Sequence, residues 1–297
     1  MPSCTPGSTT TTHYGFCKPA DGETNWGTAY RTTMDAIDTA IFNSTLPRSY
    51  LAGLQTTPSQ AATSVSIAAG IAMGNDQSTS ISLTSTLVKV LNTSWAVGTG
   101  NGGLYAATSI QGLQTYHLLA IIRTDTGAVD AYFDTVATGV NIPSPYTVYR
   151  RIASFTTDAN KNIASYTQDG DYFRLATAVL DFADTNPGTS AVVKRLGSVP
   201  SGVNMQAILN AYCLSTTSNP MMHISDLDQQ DQAPSQTLAP LENGGSVNST
   251  AATVGGYRLV ERTSLAGQIR YRLSSSDAAT VLRVVTLGWS DTRGRNA

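Results

Sequence analysis

YHLLAIIRTDTGAVDAYFDT, residues 116–135, is the stretch on which the fold class turns. Residues 116–123 and 129–135 are rich in β-branched and aromatic side chains, and Asp125-Thr126-Gly127 between them is a turn signal, so the stretch reads as strand, turn, strand. The pattern spreads outward in both directions. Residues 64–68 and 79–83 alternate apolar with small polar residues, and residues 148–155, 163–168, 172–175 and 178–182 continue the series at hairpin spacing. The fold class is therefore mainly β, with an antiparallel meander or barrel over residues 47–186.

Asn186-Pro187-Gly188 is a strong turn signal. It predicts a domain boundary, with residues 187–297 forming a second antiparallel unit. There residues 203–214 and 267–273 alternate cleanly; Ile269, Tyr271 and Leu273 face inward while Arg270 and Arg272 face out. A polar loop spans 225–249, and 279–289 is the most apolar strand. About eight such strands would make a sandwich or jelly roll. No repeat at a period of about 20 to 50 residues is visible, which counts against a solenoid or propeller.

Residues 1–46 read differently. MPSCTPGSTTTT is polar and Pro-interrupted, and predicts an extended arm that needs a partner to become ordered. Over residues 25–43, Tyr30, Met34, Ile37 and Ile41 are spaced by four, three and four residues, placing them on one side of a helix. Thr24 stands at its N-cap position and Pro47 just beyond its end. The stripe must meet either the following domain or the same helix of a sister chain.

Only 13% of the 297 residues are charged and the formal net charge is -2, so neutral hydroxyls and amides cover much of the surface. Such a surface attracts phosphates and anionic headgroups weakly, making nucleic acid and membranes poor partners. With 41% hydrophobic residues the chain nevertheless folds. Cys4, Cys17 and Cys213 imply no disulfide framework and no zinc motif. Residues 1–12 carry neither a basic nor an apolar leader segment, and no apolar run approaches the roughly 18 residues that cross a bilayer. The expectation is a reduced, cytoplasmically made protein.

Chemistry-bearing patterns are sparse. No G-x-S-x-G elbow is present, and His117 lies within a strand, where a hydrogen-bonded structural role is expected; His13 and His223 have no identifiable partner. Asp169 and Asp171 flank Gly170, and Asp226, Asp228 and Asp231 sit in the polar loop. Each cluster is a turn or solvated loop on the simpler reading and a glycosidase carboxylate pair on the sharper one, and the loop cluster is also a calcium candidate. The run Gly98-Thr99-Gly100-Asn101-Gly102-Gly103 has no following lysine or helix and reads as a wide turn; Asn101-Gly102 and Asn243-Gly244 are hairpin signals. No catalytic residue, metal or cofactor is assigned.

Tyr14-Gly15, Lys18-Pro19, Gly22, Trp26-Gly27 and Ile37-Asp38 together resemble the N-terminal pattern of many phage tail-fibre and tailspike proteins. Residues 94–104, 125–130 and Arg150-Arg151-Ile152 resemble a family of virion proteins of short-tailed phages, as does the ending Gly288-Trp289-Ser290-Asp291-Thr292-Arg293-Gly294-Arg295. The resemblance implies a virion structural role, commonly as a homotrimer, and carries over no catalytic residue. It places attachment and oligomerisation on Tyr14, Gly15, Pro19 and Trp26 together with the helix stripe. The expected partners are other virion proteins of the tail hub, adaptor, portal region or capsid, with a host-surface glycan as a further candidate. The chain has neither the long shaft nor the parallel β-helix common in receptor-binding fibres and spikes. The expected role is a tail-fibre-like appendage subunit; the alternatives are a head decoration or head-fibre protein and, less favoured, a polysaccharide depolymerase.

Overall fold

Alternating β-branched and aromatic residues suit a pleated chain whose two faces have different surroundings, and the computed structural model is mainly β, its regular structure almost all strand. It describes residues 9–12, 17–18, 27–44, 47, 49–59, 63–105, 109–215, 220–235, 237 and 255–295. The largest sheet has seven strands in the order Val148–Thr156, Thr115–Ile122, Val129–Asp134, Asn101–Leu104, Leu87–Ser94, Ser64–Ile67 and Thr56–Pro58, and is a nearly closed barrel. The hairpin expected at 116–135 is in place, with Ile122 opposite Val129 and His117 opposite Asp134.

One strand departs from the antiparallel expectation. Asn101–Leu104 runs parallel to both of its neighbours. Asn101 and Gly102 therefore stand inside a strand and not in a hairpin turn. The glycines there serve close approach: a Cβ on Gly103 would lie 2.7 Å from the Phe133 ring.

A second sheet has five strands in the order Tyr166–Asp169, Tyr172–Thr185, Val281–Ser290, Gln206–Leu214 and Gly255–Arg262. Residues 172–175 and 178–182, expected as separate strands, are one strand whose register against the final strand shifts between Arg174 and Val179 and again between Leu180 and Phe182. A three-stranded sheet of Val192–Arg195, Gln268–Leu273 and Met222–Ser225 lies against it. Its inward residues Ile269, Tyr271 and Leu273 are buried as the alternation required. Tyr271 stacks on Phe182 at 5.8 Å and donates its hydroxyl to Asp184 at 2.6 Å, joining the two layers. Leu51–Gly53, Gly70–Met73 and Ser80–Leu83 form another three-stranded sheet.

The boundary expected at 186/187 marks a real turn, with Asn186 at φ 47° and Gly188 at φ 80°, but it divides neither sheet nor core. The five-stranded sheet takes two of its strands from before the turn and three from after it. One hydrophobic cluster runs from Leu54 to Trp289. Its spine is aromatic: Phe133 meets Phe155 edge-on at 5.8 Å, Phe155 stacks on Tyr166, Tyr166 meets Phe173, and Phe173 lies flat on Trp289 at 5.6 Å. Each such pair adds on the order of 1 kcal/mol beyond its area burial.

The helix occupies Gly27–Ser44, close to its expected bounds. Among the described residues, none of the helix belongs to that core cluster. The Thr9–Thr10 segment pairs antiparallel with Cys17–Lys18, so this part of the arm folds back on itself, where an extended arm was expected. Thr11 donates to buried Asp38 at 2.8 Å and Lys18 pairs with Asp35 at 3.1 Å. The arm thus covers the helix face of Asp35 and Asp38, whereas Tyr30, Ile37 and Ile41 remain 37%, 42% and 38% exposed.

The residues that follow the final strand lock the sheets together. Asp291 accepts two hydrogen bonds from the Arg151 guanidinium, at 2.5 and 2.8 Å, with both side chains buried. Arg293 donates from Nε to the Ile152 carbonyl at 2.9 Å and from Nη2 to the Gly53 and Leu54 carbonyls. Replacing one member of a buried ion pair leaves the other charge uncompensated, at about 3–5 kcal/mol. Asp291→Asn is therefore expected to lower unfolding stability by about that amount in urea titration, and a loss below about 1 kcal/mol would show that the tail is not a clamp.

Candidate functional site

The histidine in the central hairpin is built into the same clamp. Because His117 and Ser154 are directly opposed across neighbouring strands, their side chains meet, with Nδ1 and Oγ 2.8 Å apart. A register shift between Leu118 and Leu119 on this pair of strands inserts an extra residue, so Arg151 and Ser154 share a face. Arg151 donates to Ser154 Oγ at 2.7 Å. Nδ1 and the Ser154 hydroxyl thus share one hydrogen bond, and Nε2 faces Gly202 with no hydrogen-bond partner among the described residues. A Cβ on Gly202 would lie 2.8 Å from that nitrogen, and with φ at +87° the position suits glycine.

A serine beside a histidine invites comparison with nucleophilic catalysis, but both are fully buried and a substrate has no approach to them. Burial, then the positive charge of Arg151, pushes the His117 pKa down to about 3, only partly opposed by Asp291. A base with that pKa holds no proton near neutrality and takes one poorly.

The aspartates singled out in the sequence are engaged elsewhere. Asp226 accepts the backbone N–H groups of Asp228 and Gln229, each at 2.8 Å, as a turn. Asp228 pairs with Arg262, and Asp231 with Arg272 at 2.5 Å. Among the described residues no three acidic, histidine or cysteine side chains gather as a metal ligand set. Asp169 and Asp171 flank the turn that joins two paired strands, and Asp171 pairs with Arg295. In the glycine-rich turn the Gly98 N–H, which a phosphate would require, donates to Asp130 at 2.8 Å. Asp130 also pairs with the buried Lys89 at 3.2 Å, and Lys89 reaches the Ala96 carbonyl at 2.6 Å.

Of the attachment residues, Tyr14, Gly15, Pro19 and Trp26 lie outside the described residues, as do His13, Thr24 and Asn243-Gly244. Met34 is half-buried beside the exposed Tyr30, Ile37 and Ile41.

What the sequence did not single out as a site is a cleft of about 970 Å³ bordered by the 74–77 turn, the 202–206 loop and the C-terminal tail. Arg150, Arg151, Arg262 and Arg295 line it. Arg151, Arg262 and Arg295 each have an aspartate, namely Asp291, Asp228 and Asp171. Arg150 has none among the described residues. It is 5% exposed, donates from Nε to the Arg293 carbonyl at 3.0 Å and from Nη1 to the Met73 carbonyl at 3.4 Å, and its Nη2 meets no acceptor. Burial, followed by repulsion from Arg295, Arg151 and Arg293, pulls its pKa down to about 10. It still carries its charge near neutrality. Asn75, Gln77, Asn204 and Gln206 surround the arginines with amides. The Arg150-Arg151 pair was legible only as part of a strand and of a resemblance, since a charged residue in an alternating strand usually faces solvent.

The histidine generates a pH dependence. Its folded pKa of about 3 lies below the ordinary value of 6.5, so between these limits the unfolded chain binds a proton that the folded chain refuses. Stability from this group is complete above about pH 6.5 and is lost as pH falls toward about 3, amounting to on the order of 4 kcal/mol. His117→Gln is expected to flatten the unfolding free energy between about pH 6.5 and 4.5, measured by urea titration at each pH; an unchanged slope would assign the acid sensitivity to other groups. No protein-family model matches the chain, and no curated protein sequence aligns with it significantly.

Proposed function

We propose that the chain is a structural subunit of a bacteriophage particle, a tail-fibre-like appendage held through residues 1–46, with its β body projecting and contacting a host-surface glycan. The observation that carries this reading is the divided helix. Its Asp35 and Asp38 face is taken by the folded-back arm, while Tyr30, Ile37 and Ile41 stay partly exposed, and no described helix residue belongs to the large hydrophobic cluster of the β body. An amphipathic helix left outside its own core is suited to meeting copies of itself, and the i, i+4, i+7, i+11 spacing gives each copy the same seam. The N-terminal resemblance to tail fibres supports attachment at this end, and a homotrimer is the expected assembly. A non-enzymatic role accords with the sealed Ser154–His117 contact.

A head decoration or head-fibre protein would use the same parts, and labelling intact particles separates the two positions. The assembly itself is read by light scattering. The full chain is expected at three times its monomer mass, and the Ile37→Asp, Ile41→Asp double variant at monomer mass with an unchanged unfolding midpoint of the β body, since neither residue belongs to the core. A wild-type monomer at about 50 μM, above the range of ordinary specific association, would remove the oligomerising role. Deleting residues 1–46 is expected to leave a folded body that no longer enters particles, scored by its content in purified virions; normal incorporation would move attachment to another surface.

A further inference from the structure

Three features of the cleft converge on one class of ligand. Its four arginines carry positive charge that is only partly answered, because the Arg262–Asp228 and Arg295–Asp171 pairs are partly exposed and attract weakly in water. Arg150 is buried, has no carboxylate partner among the described residues, and keeps Nη2 without an acceptor. A buried donor left without an acceptor is destabilising, more so when charged, and an entering anion recovers that energy. The remaining lining mixes amides and hydroxyls with the Tyr149 ring and the apolar Ala137, Val203, Met205 and Leu265, as a sugar with polar edges and apolar faces requires, and the volume of about 970 Å³ admits a ligand of oligosaccharide size. A bare ion would satisfy the guanidinium and leave the amides in water. A polyhydroxylated anion addresses both.

We propose that this cleft binds a carboxylate-bearing saccharide, the carboxylate answering Arg150 and the sugar hydroxyls answering Asn75, Gln77, Asn204 and Gln206. Arg150 is suited to this because a guanidinium presents a planar fork that matches a carboxylate. Its Nη2 is shielded from solvent, so the carboxylate reaches it only once a side chain of the cleft floor moves aside. Such a ligand is the host-surface glycan of the preceding reading, given a charge and a place; the assembly role stands or falls separately.

Titration calorimetry on the full chain tests it with sodium glucuronate, glucose, sodium sulfate and inorganic phosphate as probes. Glucuronate is expected to bind saturably and at least about tenfold more tightly than glucose, with affinity falling as salt is raised. Arg150→Met is expected to weaken glucuronate by about tenfold or more. Gln77→Glu, an exposed change on the cleft lining, places a negative charge before the carboxylate and is expected to weaken it several-fold without loss of stability. This variant decides the matter if Arg150→Met does not fold. Sulfate or phosphate matching glucuronate would overturn the saccharide assignment. Absence of binding by every anion, or glucuronate binding indifferent to both variants, would overturn the site. Light-scattering mass on the same samples reports the assembly role independently.

Discussion

The Arg151–Asp291 pair is the constraint around which the described body is arranged. Two charges with both side chains buried require near-ideal geometry, and the bidentate contacts at 2.5 and 2.8 Å supply it. The pair joins an edge strand of the seven-stranded sheet to the residues that follow the final strand of the five-stranded sheet. Arg293 extends the joint to the Gly53 and Leu54 carbonyls. Strand Val148–Thr156 is consequently buried along nearly its whole length, on both faces, although it stands at a sheet edge. An edge strand covered in this way is withdrawn from pairing with other chains.

The same joint determines what the polar residues near it are able to do. Arg151 fixes the Ser154 hydroxyl, Ser154 holds the His117 ring, and burial together with the neighbouring positive charge keeps the imidazole neutral. A serine and a histidine at catalytic distance are thereby made structural. One residue earlier in the strand, Arg150 has only backbone carbonyls for partners. Three guanidiniums press on it, and the tail's carboxylate is already engaged by Arg151. The surplus charge of the clamp is thus displaced toward the cleft. On a surface with few charges, that surplus is not diluted by a crowd of neighbouring ions.

Much of the strand pattern was legible because half-buried strands write their burial into alternate residues, as Ile269, Tyr271 and Leu273 do. Strands buried on both faces were legible as apolar runs, as at Thr115–Ile122. The partners were not legible. Register between distant strands depends on contacts no local window contains, so the merging of units across the 186 turn and the parallel placement of Asn101–Leu104 escaped the reading. The helix was found by its period, yet period alone does not say which face the arm will cover. The cleft escaped for a related reason: its arginines come from strand 148–156, the end of strand 255–262 and the C-terminal tail, and only the clamp brings them together.

Coupling among these elements follows from their shared charges. Protonating His117 would set a second cation beside Arg151 with only Asp291 to answer both, so acid acts on the very contact that docks the tail. Loosening that contact has two opposed consequences for the cleft. It releases Arg151 from its carboxylate, which strengthens the positive field, and it frees the tail that carries Arg295 and the carbonyl holding Arg150, which degrades the geometry. Charge without geometry binds anions weakly and without selectivity, because a guanidinium recognises a carboxylate through paired, oriented hydrogen bonds. The clamp therefore matters to the cleft less as a source of charge than as the device that keeps Arg150 pointed where its charge has a use.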